Sequence, residues 1–329
     1  MRNLITDVPG LKVGHAEDAR LGSGSTAVIF DEPAVASIDL RGGGPGTRET
    51  ALLDPAQTVQ GIDAITLSGG SAFGLDAASG VQAWLREQGR GFAVRSARVP
   101  IVPAAILFDL LSGGDKDWGR YPPYRELGYA AAAGAGLDFA LGSVGAGTGA
   151  TTVNCKGGIG SASAQSPDGF LVGALAVVNA AGSVTVGNGP WFWAAPFEQN
   201  GEFGGRGLPD PFPQQALAPV TKGSARESTT LVVVATDAIL TKVQAKRLAV
   251  MAQTGLSRAI YPVHSPLDGD VLFAASTGCR PLADATLGLT ALGTFAANVA
   301  ARAIARGVFT AAALPLAGSM PSWRDQFGR

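Results

Sequence analysis

The chain has 329 residues, of which 46% are apolar and only 16% charged, with a formal net charge of -1. That balance, with no basic stripe or aromatic-basic interleaving, excludes nucleic acid as a partner. The apolar runs read as short and broken by glycine, below the ~20 residues of a membrane-spanning helix, so no membrane association is expected. The opening "MRNLITDVPGLKVGHAED" lacks an apolar signal-peptide core, and Cys155 and Cys279 form no disulfide framework. A cytoplasmic location with reduced thiols is therefore the expectation. Glycine is the outlier at 46 residues, about twice its average usage. The glycines cluster, as in "RGGGPGT", "LSGGSAFG" and "VGAGTGATTVNCKGGIG", which points to tight turns and close approach of backbone to a ligand or to other backbone.

In chain order, strand-like runs fall at Ile62 to Leu67, Leu171 to Asn179, Ser183 to Gly187, Leu231 to Asp237 and Val271 to Ser276. Several are apolar throughout rather than alternating, which fits sheets covered on both faces. Helices are expected over Gly74 to Gln88, Thr241 to Thr254 and about Leu282 to Arg306. The second opens with Thr241 and carries Gln244 three residues on, the spacing of a capping box. Helices and long apolar strands together argue for a layered α/β domain. From Asn200 to Ser228, nine of 29 residues are Gly or Pro and periodicity is lost, so this segment reads as a flexible linker or a functional loop. It ends directly at Thr229, where an apolar strand begins.

Nucleophile chemistry has few sources. The G-x-S-x-G elbow is absent, and "GGSAFG" around Ser71 has the wrong spacing. His15 and His264 are the only histidines, and both read as structural. Two His and two Cys at no ligand spacing leave no metal site. "GAGTGA" at Gly145 to Ala150 matches a dinucleotide fingerprint literally, but no strand precedes it and no helix follows, so no cofactor is expected. A Thr at a chain N-terminus needs none of these, because it carries nucleophile and base together. Its α-amine titrates near ~7.7–8.0, so a useful fraction is neutral at cellular pH. Thr229 gains that amine only if the Ser228–Thr229 bond is cut, which its own hydroxyl could do. From composition alone, Thr229 and Thr230 read first as ordinary β-branched strand residues. Asp268 and Asp270, in "HSPLDGDVLF", lie at i, i+2 before an apolar strand. Strand geometry would aim both carboxylates to one side, whereas a D-G turn would leave them solvated.

The motifs "ITDVPGLKVGH", "LSGGSAFGLDAASGV", "GAGTGAT…KGGIGSAS", "STTLVVVATDA" and "DGDVLFAAST" occur in order across most of the chain. Together they resemble the DmpA-type aminopeptidase family, which includes the β-aminopeptidases and the nylon-oligomer hydrolases, the last type most closely. The resemblance implies an αββα sandwich of the DmpA/ornithine-acetyltransferase type. It also implies self-cleavage of one domain into 1–228 and 229–329, which stay associated and assemble into homo-oligomers, possibly tetramers. By the same resemblance Thr229 matches the nucleophile, Asn179 an oxyanion donor, and Asp268 and Asp270 the acidic pair that contacts nucleophile and amine. Lys156, Asn154 and Gly147 belong to a loop that supports the site. Ser228 stands where Asn or Gly is usual, Asn154 where a Lys is common, and Phe108 where several members have Tyr. The expected activity is hydrolysis of short peptides or amides with a free amino terminus. Endo-cleavage of an oligoamide, acyl transfer to an amine, and an unprocessed binding or scaffold protein remain the alternatives.

Overall fold

The computed structural model describes residues 1–222 and 228–328. The strands are β1 (Leu11–Asp18), β2 (Ser23–Leu40), β3 (Gly46–Arg48), β4 (Ile62–Ser68), β5 (Phe92–Val94), β6 (Ala97–Val99), β7 (Ala104–Ile106), β8 (Gly158–Gln165), β9 (Leu171–Asn179), β10 (Thr229–Ile239) and β11 (Val271–Pro281). The helices are α1 (Ala77–Glu87), α2 (Tyr124–Ala133), α3 (Lys242–Ala252), α4 (Thr254–Ser257), α5 (Ala285–Thr310) and α6 (Trp323–Phe327). Among the described residues the main strands run in the order β3-β7-β4-β2-β11-β10-β9-β8, with β1 on β2 and β5–β6 a separate hairpin.

β2 joins two leaves. Its first half pairs with β1 and β4, its second half with β11, and the register against β4 shifts between Ile29 and Ala34. Side-chain alternation then sorts each strand between layers. Leu231, Val233, Leu175, Val177, Phe273, Phe30 and Leu67 meet in the layer between the leaves. Val232, Val234, Ala174 and Ala176 face the other way, against Leu248 of α3 and Val299 and Ile304 of α5. Ala27, Ile29 and Ala64 pack on Val81 and Leu85 of α1 and Ala131 of α2. The result is the αββα sandwich. Strands apolar on both faces follow from it, since each fully buried Val, Leu or Phe contributes ~1.5–3 kcal/mol.

The capping box predicted for the second helix is present: Thr241 Oγ1 accepts from Gln244 N–H while Gln244 Oε1 accepts from Thr241 N–H. Other expectations need correction. Ser183 to Gly187 is not a strand. Ser183 and Thr185 make isolated bridges to Tyr261 and Phe192, and their hydroxyls bond to each other and to Asn154 instead of lining a sheet. The Gly/Pro-rich segment is not a free linker over residues 200–222. Phe203 is buried against Phe192, and Glu202 pairs with the buried Arg302 of α5 at 2.5 Å. Residues 223–227 of that segment lie outside the described residues. α5, with 26 residues, is long and apolar enough by length and composition to cross a membrane, contrary to the reading that apolar runs are short. Its buried face packs on β8 and β9. Approach there is so close that a Cβ on Gly160 would stand 1.9 Å from Ala303 O.

Candidate active site

Thr229 opens β10 opposite Asn179, the last residue of β9. The alternation that sends Leu231 and Val233 between the leaves carries Thr229 to the same side. Its hydroxyl therefore stands at the mouth of the inter-sheet layer, buried. Thr229 Oγ1 donates to the Ser228 carbonyl oxygen at 2.6 Å, and Gly269 N–H donates to the same oxygen at 2.7 Å. Ser228 is also held through its own N–H, which bonds Leu267 O at 3.1 Å. The peptide bond expected to break thus has its carbonyl oxygen gripped from two directions.

The acidic pair closes over this bond. Asp268 Oδ1 accepts from Ala181 N–H at 3.0 Å, and its Oδ2 from Ser265 N–H at 3.1 Å and Ser265 Oγ at 2.6 Å. Asp270 Oδ1 accepts from Thr230 N–H at 2.8 Å, and its Oδ2 lies 2.9 Å from His264 Nδ1. Because β11 starts only at Val271, strand alternation does not aim these carboxylates. A loop does, by wrapping the Ser228–Thr230 backbone. Neither is solvated, with exposures of 2% and 1%. Burial pushes the Asp268 carboxyl above its ordinary value, and the Asp270 charge adds to that shift. The "RGGGPG" cluster clamps the loop from behind. Gly44 N–H bonds Asp268 O at 2.9 Å, and a Cβ on Gly42 would stand 2.2 Å from Asp270 N, so only glycine admits that approach.

Asn179 is locked by its neighbours. Its Oδ1 accepts from Thr151 N–H at 3.0 Å and from Lys222 Nζ at 3.1 Å, and its Nδ2 donates to Phe108 O at 3.0 Å. The amide has two N–H donors, of which one is taken by Phe108 O. Phe108 supplies its backbone carbonyl here and has no hydroxyl to offer. The supporting residues act at one remove. Lys156 Nζ donates to Gly147 O, Ala150 O and Gly157 O at 3.0, 2.8 and 2.9 Å, which fixes the turn that presents Thr151 to Asn179. Burial pushes the Lys156 ammonium down to about 7, an effect the nearby Asp109 opposes. Asn154 does not join this group. It bonds Thr185 Oγ1 at 2.9 Å and borders a separate cavity.

The structure therefore gathers Ser228, Thr229, Asn179, Asp268 and Asp270 around one bond, with Lys156 and Gly147 behind them. Sequence reasoning missed three contributors. His264, read as structural, faces Asp270. Gly269 and Lys222 carried no signal beyond the glycine of "DGD". His15 does behave as structural: burial pushes it down to about 4, and its Nδ1 lies 2.9 Å from Thr26 Oγ1.

A four-layer sandwich thus brings a buried hydroxyl, an amide and two carboxylates together at one peptide bond, and its fold is that of the Ntn-hydrolase variants. The L-aminopeptidase D-Ala-esterase/amidase of Ochrobactrum anthropi, whose structure is described as a variant of the Ntn hydrolase fold, superposes with a TM-score of 0.71. That match is 20% identical and covers 100% of this chain and 95% of that one. The pattern of peptidase family S58 matches residues 3–319, and the chain belongs to that family. It is 44% identical to an uncharacterized aminopeptidase of Mycobacterium tuberculosis, over 99% of this chain and 98% of that protein. It is 27% identical to a 6-aminohexanoate-oligomer endohydrolase of Kocuria sp., over 82% of this chain and 74% of that protein. The chain is accordingly a peptide or amide hydrolase of aminopeptidase type, in the family its motifs resemble.

Proposed function

We propose that this chain cleaves itself between Ser228 and Thr229 and then acts as an aminopeptidase on short peptides or amides, with Thr229 as an N-terminal nucleophile. The observation that carries the reading is the doubly held Ser228 carbonyl, with Thr229 Oγ1 at 2.6 Å and Gly269 N–H at 2.7 Å from its oxygen. In the cut, Thr229 Oγ adds to the Ser228 carbonyl carbon while Gly269 N–H stabilises the developing oxyanion. The C–N bond then breaks, the nitrogen takes up the hydroxyl proton, and water opens the resulting ester. The products are a Ser228 carboxylate and a free Thr229 α-amine.

In turnover that amine, with an ordinary pKa of ~7.7–8.0, accepts the hydroxyl proton and later delivers it to the leaving amine. Asn179 supplies an N–H to the oxyanion. Asp268 and Asp270 receive the two ammonium groups, that of Thr229 and that of the substrate. Burial raises Asp268 and the Asp270 charge adds to the shift; an added cation between the two carboxylates offsets both. Denaturing electrophoresis and N-terminal sequencing test the reading. The protein is expected as fragments 1–228 and 229–329, and Thr229→Ala as one intact, inactive chain. Cleavage of Thr229→Ala at the same bond would reassign the nucleophile.

A further inference from the structure

We propose that the cavity walled by Trp191, Trp193, Tyr261, Ala216 and Ala218 is the pocket for the side chain of the substrate's amino-terminal residue, and that it selects apolar and aromatic side chains. This deepens the function proposed above and rests on its placement of the substrate ammonium at Asp268 and Asp270.

The cavity measures about 390 Å³, within the ~300–1,000 Å³ of small-molecule sites. Its floor is aromatic: the Trp193 ring lies 5.5 Å from Tyr261 and 5.9 Å from Phe212. Tyr261 is held in place by its hydroxyl, which donates to Leu217 O at 2.9 Å. The Trp193 indole N–H is buried without a partner among the described residues. The described residues that line the cavity carry no charge. A charged side chain entering it would lose its hydration without gaining a counter-ion.

The walls connect this cavity to the reacting bond. Ser183, on one wall, pairs with Tyr261 through N–H···O bonds of 2.8 and 2.9 Å. Two residues before Ser183, Ala181 N–H bonds Asp268. Three residues after Tyr261, His264 faces Asp270. Val220, on the third wall, stands two residues before Lys222, whose ammonium reaches Asn179. A substrate with its ammonium on the acidic pair has its first side chain on the adjacent carbon, and these shared segments lead that side chain to the aromatic cavity. A second cavity, bounded by Phe108, Thr151, Lys156 and Lys222, measures about 30 Å³, room for little more than a water molecule.

The test compares glycyl, leucyl, phenylalanyl and glutamyl p-nitroanilides on processed wild-type protein and on Ala218→Trp, an exposed position whose new ring would fill the cavity. Wild type is expected to favour leucyl and phenylalanyl over glycyl and glutamyl by at least about tenfold in kcat/KM. Ala218→Trp should lose about tenfold or more on the two large substrates and keep its glycyl rate. Equal effects on all four, or none, overturn the proposal. Binding is read independently of catalysis by tryptophan fluorescence of unprocessed Thr229→Ala. Phenylalaninamide should give a saturable change that glycinamide does not, and that Ala218→Trp removes. No saturable change overturns the pocket. A saturable change in Thr229→Ala, together with a wild-type chain that stays intact, sinks the nucleophile and leaves the pocket standing.

Discussion

Gly269→Ala tests how the Gly269 amide and the Thr229 hydroxyl are placed together on the Ser228 carbonyl. A methyl at this position would lie 2.6 Å from Gly44 O and 2.6 Å from Thr229 Oγ1. Neither contact is tolerable, and the first is to backbone, so the 268–270 loop must retreat from Gly44. Overpacking of this kind costs ~1–3 kcal/mol. The retreat draws the Gly269 N–H away from the Ser228 oxygen it now meets at 2.7 Å. Loss of one oxyanion donor slows acyl chemistry by ~10²–10³, and self-cleavage should slow by at least that order, since the methyl also crowds Thr229 Oγ1. The assay is a time course of freshly synthesised protein on denaturing gels, with a melting curve to show that the variant is folded. A folded Gly269→Ala that cleaves at the wild-type rate would refute the argument that this amide activates the Ser228 carbonyl.

Two further outcomes concern stability. Burial lowers Lys156 from 10.5 to about 7, so between those values the unfolded chain binds the extra proton and folded-state stability rises with pH. Lys156→Met should flatten that rise in urea midpoints measured across the window. Arg302→Ala would leave the buried Glu202 with Arg306 at 3.6 Å and the Asn3 amide as remaining partners and should cost ~1–3 kcal/mol by urea denaturation; Arg302→Ala with Glu202→Gln should recover part of that loss.

The centre of the fold was legible because its signals are local. β9, β10 and β11 are built on apolar runs (Leu171–Val178, Leu231–Ala235 and Val271–Ala275), and Thr241 with Gln244 marks a helix start by spacing alone. What escaped notice was set by packing. β8 reads "GIGSASAQ", without β-branched weight, because α5 approaches it so closely that a Cβ on Gly160 would enter the Ala303 carbonyl. β2 contains Pro33, which reads as a break, yet it lies where the strand passes from one leaf to the other and where its pairing with β4 is interrupted. Ser183 to Gly187 has the β-branched alternation of a strand, but Asn154 and Tyr261 take its polar groups. The 200–222 segment looked unstructured because its anchor is remote, Arg302 and Arg306 on an otherwise apolar helix about 100 residues away. At the site, Thr229, Asn179, Asp268 and Asp270 came from motif resemblance rather than from local chemistry. His264 offered nothing in sequence, since its relation to Asp270 depends on a loop turning back through a left-handed residue with φ of 55°.

The strand order has a bearing on what a cut at Ser228–Thr229 would leave behind. β10 and β11 both lie after that bond, side by side and parallel, while their outer neighbours β9 and β2 lie before it. The shorter piece would be inlaid in the middle of the longer one, with a hydrogen-bonded seam along each flank and α5 across its back. Neither piece could depart without opening both seams, so coming apart and denaturing would be the same event. The fresh terminus would gain its chemical freedom inside a body that loses none of its cohesion.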